Sequence, residues 1–130
     1  MRIISGKLKG RKIHSPKDKC VRPTSDRVRG SIFDILFNRM LEDNFHGKRV
    51  LDVFAGTGAM GLEALSRGVS STCFVEKSKG VLDAIEQNAK ILGVTEQCTF
   101  IKGDLTKTEW LSLLKVRRYE IAFLDPPYNT

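Results

Sequence analysis

Apolar and polar positions along this chain follow two different periods, and their alternation sets out the architecture. Residues 49–54, Arg49-Val50-Leu51-Asp52-Val53-Phe54, form a near-continuous apolar run interrupted by one carboxylate, the pattern of a parallel strand buried on both faces. Shorter runs of the same kind at residues 72–76, 98–101 and 119–124 predict three further strands. Between them the period lengthens. Val81, Leu82, Ile85, Ala89 and Leu92 make a helical stripe that stops at Gly93, while Trp110, Leu113 and Leu114 suit another helix before the last strand. A glycine-rich turn at residues 55–61 opens a helix through about Ser66. Upstream, Val28, Ile32, Leu36 and Met40 recur every four residues beside Phe33, Ile35 and Phe37, predicting a helix capped by Thr24 and ended before Gly47. Residues 2–5 and 9–13 read as two short strands of a hairpin around Gly6-Lys7-Leu8, and residues 14–23 read as loop. Strands alternating with helices imply the α/β class: an open, doubly wound, mostly parallel sheet with right-handed crossovers, preceded by a small β-hairpin. We expect a basic hairpin and loop over residues 1–23 and one sheet-forming unit over residues 24–130.

Charge sharpens the reading of the N-terminal part. The formal net charge is +7, yet residues 1–30 hold ten Lys or Arg against Asp18 and Asp26, which leaves the remainder close to neutral. Lys7, Lys9, Arg11, Lys12, Arg22, Arg27 and Arg29 are therefore candidate contacts for a nucleic-acid phosphate backbone. An anionic membrane is a weaker rival, because this stretch lacks a long amphipathic helix. A chain of 130 residues suits one domain with a real core. No apolar run approaches the roughly 20 residues that cross a bilayer. The start turns polar and basic too soon for a secretory signal, so a cytoplasmic protein with no membrane partner is expected. Cys20, Cys73 and Cys98 are odd in number and far apart, which points to neither a disulfide framework nor a zinc site; Cys73 and Cys98 read as small core residues.

Candidate chemistry collects where the strands end. Ligands of open α/β sheets bind beyond the carboxyl ends of the strands, and Asp52, Glu76, Asp104 and Asp125 all fall in or just after such ends. Gly56, Thr57, Gly58 and Gly61 give a turn that approaches a cofactor closely. On spacing alone the glycines, with an acid at the end of the next strand, also suit a dinucleotide. Glu76 fits an adenosine ribose in either case, because a carboxylate accepts from both vicinal hydroxyls. Asp52 favours S-adenosylmethionine over a nicotinamide dinucleotide, since a carboxylate near the first glycine repels a pyrophosphate but helps to hold an ammonium. Asp104 would take an adenine amino group. Asp125-Pro126-Pro127-Tyr128 adds a carboxylate, a rigid turn presenting the Pro126 carbonyl, and an aromatic ring, the equipment for holding a flat amino-bearing base.

These residues resemble a known family. Residues 50–58, Val-Leu-Asp-Val-Phe-Ala-Gly-Thr-Gly, are similar to the cofactor motif of the class I S-adenosylmethionine-dependent methyltransferases, whose sheet is Rossmann-like. The Asp-Pro-Pro-Tyr segment is similar to the signature of those that methylate amino nitrogen. The start Arg2-Ile3-Ile4-Ser5-Gly6, the Gly10-Arg11-Lys12 turn, the segment at residues 22–29 and the segment at residues 54–68 together resemble the bacterial RsmD-type 16S rRNA guanine-N2 methyltransferases. The resemblance covers essentially the whole chain. It implies methylation of a guanine N2 in small-subunit rRNA, guanine 966 in the usual numbering, during subunit assembly. It places Asp52, Gly56, Gly58, Glu76 and Asp104 at the cofactor and Asp125 and Tyr128 at the target. The partner would be 16S rRNA or the assembling small subunit, with no obligate protein partner. Family members continue past this motif, so the chain is expected to be a fragment with four core strands, its last strand an exposed apolar edge.

The chemistry implied is an in-line displacement in which the guanine amino nitrogen attacks the methyl carbon and the thioether leaves neutral, with no metal. Guanine N2 is a poor nucleophile, so Asp125 and the Pro126 carbonyl are expected to orient it rather than act as strong bases. Three alternatives stay open on the residues alone: a DNA amino-methyltransferase, an NAD-dependent oxidoreductase, and a non-catalytic RNA-binding module.

Overall fold

The strand runs pair as their apolar character requires. In the structure, a computed structural model, residues 1–15, 25–40, 44–104, 107 and 118–125 are described. Strands β1 (Arg49–Val53), β2 (Ser71–Glu76), β3 (Cys98–Lys102) and β4 (Ile121–Leu124) form one parallel sheet in the order β3-β2-β1-β4. Val53 stands opposite both Val75 and Leu124. The chain thus steps outward from β1 to β2 and β3, then returns to the other side of β1. The order reverses between β1 and β4.

Helices α1 (Asp26–Ile35), α2 (Ala59–Ser66) and α3 (Lys79–Leu92) fill the connections. Val50, Phe74, Ile121 and Phe123 belong to one core cluster with Phe33 of α1, Leu62 and Leu65 of α2, and Ile85 and Ala89 of α3. Leu51, Cys73, Val75 and Ile101 lie on the alternate face with Tyr119. The stripe expected on α3 is the one buried, and the helix starts at a Ser78 cap and stops at left-handed Gly93. Cys73 is buried, and Cys98 packs partly buried with its Sγ donating to the Val94 carbonyl. Among the described residues no helix is long and apolar enough to cross a membrane.

Two N-terminal expectations need correction. The α1 cap is Ser25, whose hydroxyl accepts from the Val28 N–H. The buried face of α1 is Arg29 and Phe33, while Val28 and Ile35 are more than half exposed. A π-helical turn over Leu36–Met40 further shifts the face away from a simple four-residue repeat. The hairpin forms through a single antiparallel bridge between Arg2 and Lys12, tightened by bonds from Ile3 N to Arg11 O and from Gly10 N to Ile3 O. Its Ile3 and Ile13 join the main core. Thr24, expected as the α1 cap, is itself outside the described residues, as are the Trp110-Leu113-Leu114 helix, Cys20, Arg22, Pro126 and Tyr128.

Candidate active site

The strand register sets the site. Because Val53 pairs with Val75 and Leu124, Phe54 and Asp125, which directly follow β1 and β4, come off the same carboxyl edge as Glu76, the last residue of β2. Glu76 in turn pairs with Lys102, two residues before Asp104. Asp52 is one step below the rim, in register with Phe74 and Phe123 and therefore facing α2. Such a rim beside a reversal of strand order is where open α/β sheets hold their ligands.

Between β1 and α2 the backbone leaves the strand sharply. Phe54 has φ 57°, a left-handed conformation that costs a non-glycine residue about 1–2 kcal/mol, and it directly precedes the glycine turn. Gly56 and Gly58 follow at φ 56° and 77°. Gly61 is required by packing: a Cβ there would lie 2.4 Å from Phe74 Cε1 and 2.6 Å from Thr72 Cγ2. Its absence lets the first turn of α2 rest directly on β2.

Carboxylates fix this turn in place. Asp52 is buried, and its Oδ2 accepts from the Gly61 N–H at 3.0 Å. Burial pushes its carboxyl up to about 8; the Gly61 hydrogen bond works against that rise, and the charges of Glu76 and Asp125 add to it. Glu76 is half-buried. Its Oε2 accepts from Gly56 N at 3.1 Å, and its Oε1 accepts from Lys77 N at 3.1 Å and Ser78 N at 3.4 Å. The Thr57 hydroxyl turns inward, accepting from Ala59 N at 3.2 Å and lying 3.9 Å from Met1 Sδ. Asp125 is exposed at the end of β4. Asp52, Gly56, Thr57, Gly58, Glu76, Asp104 and Asp125 therefore gather at one end of the sheet.

The basic candidates divide. Lys7, Lys9, Arg11, Lys12 and Arg27 are exposed, and Arg11 also reaches the Ile91 carbonyl at 3.1 Å. Arg29, expected on that surface, is fully buried. Its guanidinium donates to Glu63 Oε1 at 3.3 Å, to Asp26 Oδ1 at 2.9 Å and to the Arg2 carbonyl at 2.5 Å, so it is spent inside the fold and has no face for a phosphate.

The structure also singles out three residues that the sequence reading passed over. Glu63 is fully buried and accepts from Arg29, Arg67 and two backbone N–H groups of the hairpin. Ser66 exchanges two hydrogen bonds with the hairpin backbone, and Asn88 holds the His14 backbone through both its amide atoms. Glu63 and Arg67 stand four apart and look like a solvated helix pair. The missed signal was their setting, since α2 is apolar almost all round and such a helix buries whatever acid it carries.

The family model described as Conserved hypothetical protein 95 matches residues 1–130. YlbH of Bacillus subtilis is 36% identical over 129 residues, covering 99% of this chain and 67% of YlbH. The chain belongs to the RsmD-type family of class I methyltransferases. Ribosomal RNA small subunit methyltransferase D of Buchnera aphidicola from Acyrthosiphon pisum is 34% identical, covering 98% of this chain and 62% of that protein. A solved structure from Thermus thermophilus superposes with a TM-score of 0.82 at 30% identity, over 100% of this chain and 71% of the other. The chain spans about two thirds or less of the length of such curated relatives. The four-stranded parallel sheet and its glycine turn are the Rossmann-like core of this family.

Proposed function

We propose that this chain carries the cofactor site and the RNA-anchoring surface of an S-adenosylmethionine-dependent methyltransferase acting on the exocyclic N2 of a guanine in 16S rRNA, with guanine 966 the expected target. What carries the reading is the gathering of Asp52, Glu76 and Asp125 beside the reversal of strand order, close enough that the charges of Glu76 and Asp125 both act on Asp52. A glycine turn lies against that group, with its Gly56 N–H already on Glu76.

The residues fit S-adenosylmethionine. Glu76 presents two carboxylate oxygens at the end of β2 and suits a vicinal diol; Asp104, beyond β3, suits an adenine amino group. Gly56, Thr57 and Gly58 would offer backbone along the methionine part, and Asp52 beneath the turn would take its ammonium, whose positive charge favours the carboxylate form that burial alone disfavours. A pyrophosphate in the same place would meet Asp52 and Glu76 instead of a cation. When bound, the cofactor supplies an electrophilic methyl group. Asp125 would accept a hydrogen bond from the guanine amino group and turn its lone pair toward the reacting carbon, with the Pro126 carbonyl as second acceptor and Tyr128 stacked on the base. No strong base is needed, because the alkylated nitrogen loses its proton readily to water.

Lys7, Lys9, Arg11, Lys12 and Arg27, with Arg22, would bind the RNA backbone, and the protein would work in the cytoplasm on RNA or the assembling small subunit. The test is Asp125→Ala with transfer of a labelled methyl group to 16S rRNA. Transfer is expected to fall about a hundredfold, the scale of losing one oriented polar contact at a reacting centre, while cofactor affinity stays within about twofold. Undiminished transfer, or parallel loss of cofactor affinity, would overturn the role given to Asp125.

A further inference from the structure

The tip of the basic hairpin is bolted to α2, and the bolt is centred on one buried carboxylate. Glu63 accepts from Ile4 N at 2.9 Å and Ser5 N at 3.1 Å. One turn further along α2, the Ser66 carbonyl accepts from Lys7 N at 2.9 Å, and the Ser66 hydroxyl accepts from Leu8 N at 2.9 Å while donating to the Ser5 carbonyl at 2.6 Å. Four of the five backbone N–H groups between Ile4 and Leu8 thus end on two residues of α2. The fit leaves no slack, since a Cβ on Gly6 would lie 2.0 Å from the Ser66 carbonyl oxygen. Arg29 and Arg67 close around Glu63 at 3.3 and 2.9 Å, and Arg67 also covers the Phe33 ring at 4.8 Å.

A buried acid with two arginines is a costly way to stabilise a helix, because desolvation consumes most of the attraction. What the arrangement gives instead is geometric definition. The hairpin tip projects Lys7 and Lys9 into solvent, with Arg11 and Lys12 on the returning strand. The other end of the same eight-residue helix begins at the glycine turn and is held by Asp52.

We infer that Glu63, with Ser66, is a positioning residue for RNA recognition: it holds the cationic hairpin at a fixed offset from the cofactor turn, so that the RNA backbone is anchored where its target base reaches the rim. This rests on the proposed function. Glu63 touches neither RNA nor cofactor and acts through the backbone of residues 4 to 8.

The test uses the whole chain, a fluorescein-labelled 16S rRNA stem-loop for anisotropy, and S-adenosylmethionine for calorimetry. Glu63→Gln is expected to weaken RNA binding at least tenfold and to lower the salt slope by roughly one to three as the hairpin's cations lose their common register. Ser66→Ala, which strands no buried charge, is expected to weaken RNA binding about threefold. In both, the S-adenosylmethionine dissociation constant stays within about twofold. If Glu63→Gln does not fold, Ser66→Ala decides. RNA affinity unchanged in the folded variants, or RNA and cofactor affinity falling in parallel in Ser66→Ala, would overturn the inference and leave these residues a purely structural role. A wild-type chain that binds cofactor but not the stem-loop would overturn the RNA reading itself, a different result from wild-type binding that the variants leave intact.

Discussion

Replacing Gly61 by Ala sets two effects of known size against each other. In an isolated helix the change would stabilise by about 1 kcal/mol, because alanine is the better helix former. Here the added methyl would sit 2.4 Å from Phe74 Cε1 and 2.6 Å from Thr72 Cγ2, well inside ordinary contact, and both neighbours are buried on β2. The strand cannot yield, because β2 is paired on both sides. Helix α2 must lift away from the sheet, which stretches the 3.0 Å bond from Gly61 N to Asp52. Overpacking at about 1–3 kcal/mol and a weakened buried hydrogen bond at about 1–3 kcal/mol outweigh the helical gain, for a net loss of about 3 kcal/mol. Urea unfolding is the assay. A lower midpoint at unchanged slope is expected, with weaker S-adenosylmethionine binding because the glycine turn moves with the helix. A Gly61→Ala chain as stable as the wild type would refute the close approach of α2 to β2.

Asp52 makes stability depend on pH. Its carboxyl is raised from the ordinary 3.8 to about 8, so the folded state holds a proton that the unfolded state has lost throughout that window. Stability should therefore fall as pH rises from about 4 to about 8, and Asp52→Asn should remove that part of the slope in thermal melts at about pH 5 and about pH 8; identical slopes would contradict it. Arg29→Ala should cost about 3 kcal/mol in urea unfolding, since it breaks a buried ion pair. Lys7→Ala should stay within about 0.5 kcal/mol, and equal effects would place Arg29 on the surface after all. Conversely, replacing Lys7, Lys9 and Lys12 together by Ala should lower the salt slope of RNA binding by roughly 2, and an unchanged slope would remove the hairpin from the RNA surface.

Where one physical signal dominated, the fold could be read directly. The runs of β1 and β2 are apolar because the middle of the sheet buries them, while β3 and β4 lie outermost in its order and Leu124 is exposed; the α3 stripe survives because one face alone meets the core. The glycine turn was legible because its backbone needs are local. Helix α1 misled for a definite reason: its fully buried positions are Arg29 and Phe33, so the apolar repeat runs beside the buried face, with Val28 exposed and Leu36 only partly packed on the core. A buried arginine declares itself only through its partners, and Glu63 lies 34 residues away. The same long reach hid Ser66 and Asn88, whose bonds to the hairpin span 58 and 74 positions. At the site, the acids at the strand ends could be located from sequence, because register follows from the strands. The strain at Phe54 could not, since nothing in a phenylalanine marks a left-handed turn.

The most direct test of the central claim is calorimetric titration of the folded chain with S-adenosylmethionine, with NADH as the comparison ligand. The account predicts one-to-one binding of S-adenosylmethionine in the micromolar range, abolished by Glu76→Ala, and no response to NADH. Binding of NADH in its place, or S-adenosylmethionine binding indifferent to Glu76, would contradict it.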